Sequence, residues 1–158
     1  MKLTLSFIAV LAVCFTACNS NKVFNERVAI DQNSGWNKDS LITIQYNISD
    51  ISIPYNLKID LRVLEFYPSA NLWLFVKTIS PDNLVAIDTL NCSLFDDKGV
   101  STGDAIGGIY DYLIDYKQNI KFKKAGTYTM KFQHGMRIDN LPCVGEIGVF
   151  IEKTPLSN

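Results

Sequence analysis

Cys18 is the residue of this chain best placed for a covalent reaction. Met1 and Lys2 give a short positive start, Leu3 to Phe15 form an apolar run, and Thr16-Ala17 set small side chains directly before the thiol. A lipoprotein signal peptidase needs small residues before the scissile bond and a cysteine after it, because the thiol is acylated with diacylglycerol before cleavage. Thr16-Ala17-Cys18 meets both needs, whereas Cys14 follows the bulkier Val13, and Phe15 stands where leucine is commonest. The apolar run is too short for a stable membrane span and has the layout of a secretory signal peptide. The expected product begins at Cys18, carries lipid there, and folds in an extracytoplasmic space beside a bacterial membrane.

Two more thiols, Cys92 and Cys143, remain in the mature chain. An oxidising compartment permits them to pair, with two buried free thiols as the alternative, and only geometry decides. No Cys-x-x-Cys spacing is present and the chain has one histidine, so no structural zinc ligand set is visible. That histidine, His134, falls in phase with the apolar face of its segment, which favours packing over catalysis. Ser93 and Ser101 have no nucleophile motif around them. Asp96, Asp97, Asp104, Asp111 and Asp115 match neither a calcium loop nor a glycosidase pair. Asp96 and Asp97 read as turn formers, and Asp111 and Asp115 as the solvated face of a strand. Gly103, Gly107 and Gly108 lack the Gly-Lys-Ser/Thr ending of a phosphate loop and read as a flexible connection. No catalytic residue, metal site or cofactor beyond the covalent lipid is expected.

Trp36, Tyr67, Trp73, Phe75, Tyr110 and Tyr112 are numerous enough to build a sugar-stacking platform or a protein contact patch, or to fill a core. Trp36 and Trp73 are the expected contact aromatics.

Positioning these residues falls to strands. Removing residues 1–17 from the 158 leaves 141, one domain's worth. Without Lys2, 14 basic residues oppose 16 acidic ones, a net of −2, which gives no sign of binding to nucleic acid or to an acidic lipid surface. The expected division is 1–17 signal peptide, 18–22 lipidated tether and 23–154 folded domain. Ile42, Ile44, Tyr46 and Ile48 alternate with polar residues, as do Leu57, Ile59, Leu61 and Val63, and Tyr128, Met130, Phe132 and His134. Period two marks half-buried strands. Leu72 to Ile79 is apolar on both faces and reads as a central strand. Leu84 to Phe95, Ile109 to Tyr116, Asn119 to Phe122 and Val144 to Ile151 complete the set, with Gly145 and Gly148 marking a bulge or a close neighbour. Ser80-Pro81-Asp82-Asn83 and Asp96-Asp97-Lys98-Gly99 have turn chemistry. Eight or nine short strands without sustained helical period predict an all-β fold, an antiparallel β-sandwich with Greek-key or jelly-roll connections.

The order of several short motifs resembles the GldH family of gliding motility lipoproteins. They are the lipoprotein start, Trp36, Leu61-Arg62 to Tyr67-Pro68, Asn71-Leu72, Asp88-Thr89-Leu90 and Lys98-Gly99. Gly108-Ile109-Tyr110-Asp111, Gly126-Thr127-Tyr128-Thr129, Gln133-His134-Gly135-Met136-Arg137 and Val144-Gly145 to Ile151-Glu152-Lys153 follow. The chain departs at Val100-Ser101-Thr102-Gly103, where the family tends to have a tryptophan-containing glycine-rich loop, and at Cys143, in a stretch more usually glycine-containing. The resemblance implies an envelope lipoprotein of the gliding machinery, linked to type IX secretion, with no enzyme activity.

Two functions follow as expectations. The first is a non-catalytic, lipid-anchored component of the gliding apparatus, acting by protein contact with other gliding or secretion proteins. The second is a carbohydrate-binding surface lipoprotein, with Trp36 or Trp73 stacking on glycans. The residues after Cys18 lack an acidic cluster, which favours a periplasm-facing anchor and leaves inner or outer membrane open.

Overall fold

Period-two patterning gives strands whose burial alternates in step. The computed structural model describes residues 21–155, so Cys18 and the signal peptide lie outside the described residues. Eleven strands follow one another: β1 (Lys22–Ala29), β2 (Trp36–Asn37), β3 (Ile42–Ile48), β4 (Tyr55–Leu64), β5 (Asn71–Ile79), β6 (Val85–Ser93), β7 (Asp104–Ile106), β8 (Ile109–Ile120), β9 (Gly126–His134), β10 (Asn140–Leu141) and β11 (Val144–Lys153). In β3 the residues Ile44, Tyr46 and Ile48 are buried while Thr43, Gln45 and Asn47 are exposed.

Two sheets form, β1-β11-β4-β8-β7 and β3-β9-β5-β6, with β2 and β10 as a separate ribbon. Among the eight longest strands the first pairs with the last (β1 with β11), then β3 with β9, β4 with β8, and β5 with β6, all antiparallel. Successive pairs lie in opposite sheets, so the chain is one long ribbon folded over itself. That is the jelly roll, one of the two connections expected. Between the sheets, Ile59, Leu61 and Val63 of β4 and Leu72, Leu74 and Val76 of β5 belong to one core and are fully buried. Each such side chain contributes about 1.5–3 kcal/mol through loss of apolar surface to water.

Several elements depart from the pattern read in sequence. β1 carries Glu26 at the inward parity shared by Phe24 and Val28, which hides its period. β8 is a single strand where two were expected: two register shifts against β4 absorb Tyr116, Gln118 and Asn119. Asn119 takes a left-handed backbone, φ 51°, and its N–H donates to Asn56 Oδ1 at 2.9 Å; asparagine tolerates that conformation best after glycine. The connection expected at Val100–Gly108 contains β7 and a tight hairpin, since Gly107 and Gly108 both have positive φ, as a two-residue loop between twisted strands requires. The two glycines of β11 divide the expected roles. A bulge falls at Gly145, and a Cβ on Gly148 would collide with the Glu26 carbonyl of the neighbouring strand. β5 does have neighbours on both sides, β9 and β6, but no layer covers its outer face.

Candidate functional site

That uncovered face holds the candidate site. Strand alternation sends Leu72, Leu74 and Val76 inward and Trp73 and Phe75 outward, where they are 41% and 44% exposed. The loop after β9 folds beside them: Gly135 N–H donates to the Trp73 carbonyl at 2.7 Å, and the Trp73 N–H points to Met136 Sδ at 3.4 Å. A Cβ on Gly135 would press within 3.2 Å of the Phe75 ring, so glycine keeps the space between loop and ring open. The result is a groove of about 510 Å³ lined by Asn71, Trp73, Phe75, Thr89, Met136 and Arg137. Asn71 Nδ2 donates to Asn91 Oδ1 at 2.7 Å, placing an amide pair at its edge. Lys77 and Lys131 face each other further along the sheet. The outward strand residues of this sheet include these lysines and no carboxylate. Ring faces, a thioether, amides and cations recognise a ligand by stacking, dispersion and hydrogen bonding.

Trp36 does not share this role. It is 1% exposed, covered where β2 pairs with β10 (Trp36 opposite Leu141), and its indole N–H donates to the Ser40 carbonyl at 3.1 Å. The expectation of a contact aromatic there is corrected: the ring is core. His134 is buried against it, ring centroids 5.4 Å apart and edge-on. Nε2 donates to the Trp36 carbonyl at 2.9 Å. Burial holds the His134 pKa below the ordinary imidazole value. Tyr67 and Tyr112 are buried as well.

The opposite sheet bears an ion network on its outer face. Arg27 on β1 lies opposite Gly148 on β11, and Gly148 lies opposite Asp60 on β4. The missing side chain at Gly148 lets Arg27 cross β11, so that Nη2 meets Asp60 Oδ1 at 2.5 Å. Arg27 Nη1 also lies 3.1 Å from Asp111 and 3.3 Å from Glu146. Arg62 binds both Asp111 oxygens, Nε to Oδ1 at 2.9 Å and Nη2 to Oδ2 at 3.0 Å, and reaches Glu146 at 3.2 Å. Its hydrogen bonds hold Asp111 below the usual carboxylate range, while the bond to Asp60 raises the pKa of Arg27. Asp111 is therefore a partner in a half-buried network, which corrects its reading as solvated strand face. Nothing local in the sequence signals the network, because its members lie on four strands.

Both remaining thiols are free. Cys92 sits on the inner face of β6, where burial pushes its thiol up to about 12. Cys143 lies in the turn before β11, its carbonyl accepting the Leu64 N–H at 2.8 Å beside the other sheet. Among the described residues, no group of three or more His, Cys, Asp or Glu side chains is arranged to hold a metal ion.

Residues 22–151 match the family model described as GldH lipoprotein. A gliding motility lipoprotein GldH homolog of Christiangramia forsetii is 29% identical over 149 residues, covering 90% of each chain. The gliding motility lipoprotein GldH of Flavobacterium johnsoniae is also 29% identical over 149 residues, covering 90% of this chain and 91% of that one. No solved structure matches. The family match spans most of the chain, including all of both sheets except the last residues of β11. The chain belongs to the GldH lipoprotein family.

Proposed function

We propose that this chain is a non-catalytic envelope lipoprotein of the gliding machinery, linked to type IX secretion and periplasm-facing. In this reading acylation at Cys18 ties the jelly roll to the membrane, and the Trp73–Phe75 groove binds a protein of the same apparatus. The groove is the observation that carries the contact role. Two large rings stand exposed side by side in a concave groove, next to a thioether and a guanidinium, the composition that dominates binding energy in protein interfaces. Restriction to a membrane surface raises the local concentration near membrane-bound partners, so a groove of this size suffices without a large interface.

The test is spreading and secretion in a gene-deletion strain complemented with wild type, Cys18→Ser or Trp73→Ala at matched protein level. Rescue by wild type and failure of both variants is expected. Full rescue by Trp73→Ala removes the groove from the function, and a deletion strain that spreads and secretes normally overturns the motility role. The Asn71–Asn91 amide pair beside an exposed indole supports a second reading, glycan capture. Glycan-array binding by wild type that disappears in Trp73→Ala would favour it over protein contact.

A further inference from the structure

The point where the chain leaves the sandwich fixes which end meets the membrane. The Asn21 carbonyl accepts the Lys153 N–H at 2.9 Å, and Thr154 N–H donates to the Pro54 carbonyl at 3.0 Å. Tyr55 pairs with both Lys153 and Ile120, so β1, β11, β4 and β8 all end here. In the facing sheet Ile48 pairs with Gly126 and Ile79 with Val85 at the same end. Cys18 precedes Asn21 by three residues, a span of at most about 11 Å. Lipid on Cys18 draws this end, and no other, against the bilayer.

The end has the chemistry for that position. Ile51, Leu84 and Val85 are 42%, 64% and 54% exposed. Leu84 and Val85 border an apolar groove of about 370 Å³ whose far side is formed by Ile120 to Lys124. Lys121 and Lys123 extend into solvent, while Lys124 pairs with Asp82 at 3.1 Å. With Lys22 and Lys153 they outnumber the carboxylates of this end, Asp50, Asp82 and Glu152. Apolar tips ringed by lysines complement a headgroup layer carrying phosphates.

We propose that this end is a bilayer-contact surface, with Ile51, Leu84 and Val85 entering the headgroup region and Lys121 and Lys123 meeting lipid phosphates. The inference rests on acylation of Cys18. It leaves the Trp73 groove on the side of the sandwich and clear of that membrane, six residues along β5 from Ile79, or about 20 Å.

Tryptophan quenching tests it in the intact lipoprotein, reconstituted in phosphatidylethanolamine–phosphatidylglycerol vesicles with and without brominated acyl chains. Trp36 is buried and Trp73 reports the groove, so wild-type emission stays unchanged. Leu84→Trp, a substitution in an exposed turn, adds a reporter at the end and loses emission in brominated vesicles. Adding Lys121→Glu and Lys123→Glu to that variant reduces the loss, each lysine at a charged surface contributing about fivefold to the contact equilibrium. Equal quenching of wild type and Leu84→Trp, or quenching of neither in vesicle-bound acylated protein, overturns the surface. Absence of the acyl mass on Cys18 in the same preparation overturns the lipoprotein reading beneath it, a distinguishable failure.

Discussion

Removing the guanidinium from the ion network should cost more than removing the charge of the carboxylate it crosses a strand to reach. Asp60 is 1% exposed, and Arg27 is the cation that contacts it. Arg27→Met keeps the side chain's apolar length over Gly148 but leaves a buried carboxylate without counter-charge, a change worth about 3–5 kcal/mol. In a domain of this size that corresponds to a melting temperature lower by about 10–20 °C. Asp60→Asn leaves Arg27 with Asp111 at 3.1 Å and Glu146 at 3.3 Å. It removes one charge-assisted hydrogen bond, about 1.5–3 kcal/mol. The double variant lacks the orphaned charge and should be more stable than Arg27→Met alone by about 1 kcal/mol or more. Urea and thermal unfolding of the four proteins, followed by circular dichroism at neutral pH, close the cycle. Equal costs for the two single variants, or a cost for Arg27→Met below about 1 kcal/mol, would refute the account of Asp60 as a charge held only by Arg27.

Gly148→Ala should destabilise the fold by about 1–3 kcal/mol, since its Cβ meets the Glu26 carbonyl and lies 2.8 Å from Arg27 Cγ. Gly145→Ala, whose closest contact is 3.3 Å, should cost clearly less in the same unfolding assay. A thiol-reactive dye on the native protein at neutral pH should label Cys143 and spare Cys92, whose buried thiol is pushed up to about 12; equal labelling rates would contradict the burial. Folded His134 has a lowered pKa, so below about pH 6.5 the unfolded chain binds the extra proton. Its contribution to stability is full above that value and declines as pH falls toward the folded pKa, so His134→Gln should flatten the fall in melting temperature between neutral and mildly acidic buffer. A variant with the wild-type slope would count against it.

The legible part of this fold was the part where one face meets the core and the other meets water. β3, β4 and β9 obey that condition, and their alternation is visible residue by residue. β5 shows why the same rule misleads. Leu72 to Ile79 is apolar on both faces, which ordinarily means cover on both, yet Trp73 and Phe75 stand in the open because they line a groove. Composition records hydrophobicity and not what lies opposite. Trp36 is the converse case, an indole covered by a two-residue ribbon too short to leave any period. The Arg27–Gly148–Asp60 row escapes sequence reading altogether, because residues 27, 148 and 60 become neighbours only through strand register.

The pairing of the first strand with the last also has a mechanical consequence. β1 starts at the end to which lipid on Cys18 would be tied and runs toward the far end, and its hydrogen bonds to β11 lie perpendicular to its length. A pull between the lipid and the Trp73 groove acts along β1, so it slides that strand past its neighbour instead of peeling it away. Every rung from Phe24–Ile151 to Ala29–Glu146 then resists together, with Arg27 lying crosswise like a bolt. Under the proposed anchoring, this shear axis is the one along which a force between lipid and groove would load the domain.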